Sequence, residues 1–137
     1  MTEWDHYGSG HASSVDCRLH PRALHPPADR YHLHGLVVLL CRRGPWYAIG
    51  EGCKTRNSHG GGASYLPWPG MIDELTSEPA ALLEGPVREV LNGAGLVRVR
   101  AADLAAPLPE PHRSGPLPTL LTDPPHTWFD PLFYWAD

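Results

Sequence analysis

From Leu36 the chain is apolar on both parities: Leu36, Val37, Val38, Leu39, Leu40 and Cys41 follow one another without a polar residue. A strand whose side chains alternate with period two reads this way when both of its faces are covered. Residues 31–41 are therefore predicted as a strand. Arg42-Arg43-Gly44-Pro45 is a turn, with Gly44 free to take positive φ, and residues 46–49 are the return strand. Pro45 has no N–H and suits a first strand position or an outer edge.

Residues 50–70 read as a long glycine-rich loop containing Ser58-His59-Gly60-Gly61-Gly62, with Tyr65-Leu66-Pro67-Trp68-Pro69 extended behind it. Helical spacing appears over 71–93, first at Ile72 and Leu75, then at Leu83, Val87, Val90 and Leu91. Gly85-Pro86 interrupts it, because an internal proline removes one hydrogen bond and clashes with the preceding turn. Two pieces or one kinked helix are expected, with Pro86 opening the second and Gly93 as its stop. Leu96-Val97-Arg98-Val99-Arg100 alternates like a half-buried strand. The predicted fold is α+β. A small, mostly antiparallel sheet (hairpin 31–50 plus strand 96–100) is packed by a kinked helix over 71–93, with long Pro/Gly-rich coil.

A length of 137 residues fits a single domain, here spanning 1–137. Residues 1–30 read as irregular, broken by Gly8, Gly10, Pro21, Pro26 and Pro27. Residues 107–137 read as a proline-rich wrap with an aromatic end. Trp128, Phe129, Phe133, Tyr134 and Trp135 carry too much apolar area to leave in water. These rings either close the core or anchor a partner, since tryptophan and tyrosine dominate binding hot spots.

Charge narrows the partners. The net charge is −4, which does not match the basic footprint of a nucleic-acid binder. Arg42, Arg43, Lys54 and Arg56 beside Trp46 and Tyr47 are the one basic group that could hold a single strand by stacking, and this reading ranks last. The N-terminal residues carry neither a basic nor an apolar leader segment, and no apolar run approaches bilayer length. The chain is expected to be cytoplasmic, without a membrane partner. Its three cysteines would then be reduced, and an odd count argues against a disulfide framework.

Candidate chemistry lies in the first 59 residues, where Cys17, Cys41, Cys53 and most of the histidines fall. A two-residue turn at Arg43-Gly44 makes paired residue numbers sum to 87 and sets His34 opposite Cys53, with His32 on the same face. Imidazole and thiol beside a dry wall could form a Cys–His dyad or hold zinc. A three-residue turn with a bulge is equally allowed; it pairs Cys53 with Leu33 and dissolves the site. A separate zinc set would be Cys17-x-x-His20 with Cys53 and His59, a single weak knuckle. His59-Gly60-Gly61-Gly62 resembles the oxyanion loop of lipases and esterases in local letters, yet the G-x-S-x-G elbow that it would serve is absent. His32-Leu33-His34 resembles the start of cupin and metalloprotease-like patterns. Those need a carboxylate soon after, and the next acid is Glu51.

Two functions follow in order. The first is a non-enzymatic accessory or protein-interaction module, with a protein partner or a second copy of itself and room for a structural zinc. The second is a small enzyme, metal-dependent or with Cys53 as nucleophile, built on His34, Cys53 and His32.

Overall fold

The computed structural model describes residues 2–5, 14–19, 31–56, 58–59, 62–65, 67, 69–115 and 123–133. Among them the chain is α+β. Six strands form one sheet: β1 (Thr2–Asp5), β2 (Ser14–Leu19), β3 (Tyr31–Cys41), β4 (Trp46–Arg56), β5 (Gly62–Tyr65) and β6 (Val97–Arg98). The order is β1-β2-β3-β4-β5 with antiparallel neighbours, and β6 adds to β4 in parallel. The helices are α1 (Glu78–Gly93), α2 (Ala101–Ala105) and α3 (Phe129–Phe133).

The hairpin takes the register in which paired numbers sum to 87, from Tyr31↔Arg56 to Leu40↔Tyr47. It is longer than the predicted 31–50, because pairing continues past Gly50 and Gly52. Gly50 is tolerated for a specific reason: a Cβ there would lie 2.6 Å from the Pro67 ring. The other edge of β4 is covered in three parts. β6 pairs at Trp46–Tyr47, Ile72 bridges to Gly50, and β5 pairs at Cys53–Arg56. Covering an edge in this way removes a template for aggregation.

Both parities of the hairpin are buried, as the apolar run predicts. Leu36, Val38, Tyr47 and Ile49 pack under α1 through Ala80, Leu83, Val87 and Leu91. Val37, Leu39 and Ala48 pack on the opposite face against Ile72, Leu104 of α2, and Phe129 and Phe133 of α3. The sheet is thus the middle of three layers.

Several expectations are corrected. β1 and β2 lie in the stretch read as irregular, and β5 lies in the predicted loop 50–70. The helix begins at Glu78 and not at 71. Pro69–Met71 is one turn of 3-10 helix, and Asp73 has φ 67°. Ser77 is the N-cap, accepting a hydrogen bond from the Ala80 N–H at 3.3 Å, and Pro79 fills the first turn. Pro86 lies inside the continuous helix and does not open a second piece. Packing of Leu83, Val87 and Leu91 on the sheet offsets the missing bond. Gly93 is the last helical residue, and the left-handed stop after the cap Ala94 is Gly95 (φ 85°). The Leu96 N–H reaches the Leu91 carbonyl and the Gly95 N–H reaches that of Asn92, a Schellman closure with Leu91 and Leu96 both in the core.

β6 is shorter than the predicted strand, and its alternation is inverted. Val97 is half exposed, while the Arg98 side chain is largely covered and ion-paired to Asp73 (2.8 Å) and Glu84. These pairs tie β6 to α1 and to the turn at Asp73.

Replacing Phe133 with Ala is expected to cost about 3–5 kcal/mol in urea unfolding. Replacing the half-exposed Trp128 with Ala should cost less than about 1 kcal/mol.

Candidate functional site

Glu51 is an acid in the middle of an apolar strand, and period two puts it on the α1 face, opposite Leu36. It is 4% exposed. A buried carboxylate needs its lone pairs filled. The chain entering α1 supplies the donors. Thr76 N and Oγ1 donate to Oε2 at 2.8 and 2.9 Å, and Ser77 N donates to Oε1 at 3.0 Å and to Oε2 at 3.3 Å. The Ser77 N–H belongs to the helix entrance, where backbone donors have no intrahelical partner and negative charge is favoured. Burial pushes the Glu51 carboxyl up, but the hydrogen bonds from Ser77 and Thr76 outweigh it and hold the group below its ordinary range.

Glu51 also touches His34, whose Nδ1 lies 3.4 Å from Oε1. His34 is half exposed at the open end of the hairpin, directly opposite the partly buried Cys53. Opposed residues have Cβ atoms about 4.5–5.5 Å apart. A thiol, an imidazole and a carboxylate therefore share one face at the open end of the hairpin, with the imidazole in contact with the carboxylate. Sequence reasoning set Glu51 aside because it counted positions along β3. The missing carboxylate comes from the neighbouring strand. The signal was present, since Glu51 and Cys53 share parity.

Of the other predicted residues, His32 shares this face by register, two residues farther along β3 and opposite Thr55. Cys17 pairs with Val38 on β2, two strands from β4 and four residues along from the Cys53 level. Strand spacing and rise put the two cysteines roughly 17 Å apart. One tetrahedral zinc needs both sulfurs within about 2.3 Å of it, so this set is not assembled. His59 is exposed in a turn beyond β4, and His20 lies outside the described residues. Among the described residues no three His, Cys, Asp or Glu side chains gather to hold a metal.

Arg42 and Arg43 are exposed at the hairpin tip, and Lys54 and Arg56 lie near its far end. At about 3.4 Å per residue these pairs are some 30–40 Å apart and do not make one basic patch. Phe129 and Phe133 are core residues at 1% exposure, so the cis packing of the aromatic end accounts for them. Trp128 is exposed, and Tyr134 and Trp135 lie outside the described residues.

A second feature occupies the other end of the α1 face. Leu19, Val38 and Leu40 of the sheet and Pro86, Val87, Val90 and Leu91 of α1 line an apolar groove of about 350 Å³. Beside it Leu82, Pro86 and Val90 form an exposed apolar line at i, i+4 and i+8 along the helix. Leu82 is 65% exposed and Val90 71%. Among the described residues no helix is long and apolar enough to cross a membrane. Comparison with protein-family models, curated proteins and solved structures finds no match for this chain.

Because the Glu51 carboxyl is lowered in the folded state, its contribution is fully present above the ordinary carboxylate range and is lost as pH falls through the lowered value. Glu51→Gln is expected to cost about 1–3 kcal/mol at pH 7. The gap to wild type, read from urea melts, should narrow as pH falls below the ordinary carboxylate range.

Proposed function

We propose that the chain is a non-enzymatic protein-interaction module that docks an apolar segment of another protein along the outer side of α1. The observation that carries this reading is the wholly apolar groove, bordered by the Leu82–Pro86–Val90 line. Apolar surface gathered in one place on a small protein marks an interaction site more often than scattered exposed residues do. A helix-in-groove or helix-on-helix contact reads such i, i+4, i+8 positions as anchors. The rigid three-layer body behind α1 presents the line without further ordering, which lowers the entropic cost of binding. Arg42, Arg43, Lys54 and Arg56 are not needed, nor is a metal.

A photo-crosslinking residue placed at position 82 or 90 in the producing cell tests this. Adducts at both positions, with a control at the exposed Ala102 blank, are the expected outcome. Adducts to the chain itself would make the partner a second copy, and adducts to another polypeptide would make it a heteromeric module. Positions 82 and 90 crosslinking no more than position 102 would end the reading.

A further inference from the structure

The cluster at the open end of the hairpin plays no part in docking on α1. Glu51 alone could hold the helix entrance through Thr76 and Ser77, without any histidine beside it. Yet His34 sits with Nδ1 against that carboxylate, an arrangement that fixes the ring and directs Nε2 away from Glu51. Cys53 occupies the position across the ladder from His34 and is partly open to solvent. The titratable positions that register places around the thiol are His34 and His32 on β3, Glu51 on β4 and Tyr65 opposite on β5.

We propose that Cys53 is a reactive thiol served by His34 as base, with Glu51 as the positioning residue, and that it exchanges with low-molecular-weight disulfides. Thiol–disulfide exchange needs a thiolate and access, and no oxyanion donors. His34 Nε2 takes the Sγ proton. The thiolate attacks one sulfur of R–S–S–R, the Cys53 Sγ–S bond forms and the S–S bond breaks. The departing RS⁻ takes the proton from the imidazolium. Cys53 sulfur is oxidised and the released sulfur reduced, so electrons balance. Cys41 lies at the other end of the hairpin, about 24 Å along β4 from the Cys53 level, and cannot resolve the adduct. The product is therefore a stable mixed disulfide.

Oxidised glutathione is the probe, and mass mapping of each cysteine in the full chain between pH 5 and 9 is the readout. Cys53 is expected to react at least about tenfold faster than Cys41 at pH 7, with an inflection in its rate against pH that Cys41 lacks. His34→Gln should lower the Cys53 rate about tenfold and remove that inflection. Glu51→Gln, checked for cooperative melting, should keep the inflection but move it to lower pH, because a neighbouring negative charge is lost. Equal rates at Cys41 and Cys53 in the unaltered protein would overturn the proposal without any variant, and so would a His34→Gln rate equal to wild type.

Discussion

Pairing of Leu40 with Tyr47 sets every other pair in the central hairpin. Side chains alternate with period two, so a slip of one residue would exchange the two faces of β4 against β3. Here both faces are apolar, and burial alone would not choose between registers. What separates them is the identity of a few residues. In the observed register Tyr47 is buried with its hydroxyl donating to Asn92 Oδ1 at 2.7 Å, and Glu51 arrives under the entrance to α1. Slipped by one, the buried carboxylate would face the aromatic layer of α3 and find no donors. A misplaced buried charge costs far more than a misplaced methyl group.

Glu51 therefore links three levels of organisation. It holds the start of α1, which fixes where the helix lies on the sheet. The helix in turn positions its exposed line and the groove beside it. The same carboxylate holds the ring of His34 against the hairpin end. Arg98 does comparable work at the other side, joining Asp73, Glu84 and, through Glu84, Arg88. Asp73 completes the link by accepting from the Ala101 N–H at 2.8 Å. Polar groups thus define the orientation of layers that hydrophobic packing alone would leave free to slide.

The two features of the α1 face are chemically unlike and lie apart. The groove is dry and lies against the later half of α1; the thiol cluster is polar and half open at the opposite end of the hairpin. Six residues of β3 separate Leu40 from His34, roughly 20 Å along the strand. A partner seated on the groove would leave Cys53 accessible. One small fold can in this way carry a docking surface and a redox-sensitive group without either obstructing the other.

Local pattern was enough to read the hairpin, the doubly covered apolar run and the helical spacing of Leu83, Val87 and Leu91. These depend on period and propensity over a few residues. β2 was read as irregular, because the surrounding glycines and prolines outweighed the alternation of Val15, Cys17 and Leu19 with Asp16 and Arg18. The register was not legible, because two turn lengths fit Arg42–Pro45 equally well and the choice rests on contacts with α1. Nor was the true helix start, which depends on a carboxylate 26 positions before Ser77. Glu51 near His34, and Arg98 covered where Val97 was expected, are decided by which strand and which ion pair lie alongside. Those neighbours exist only after the layers close, since a buried charge takes its place from partners that are distant in the chain.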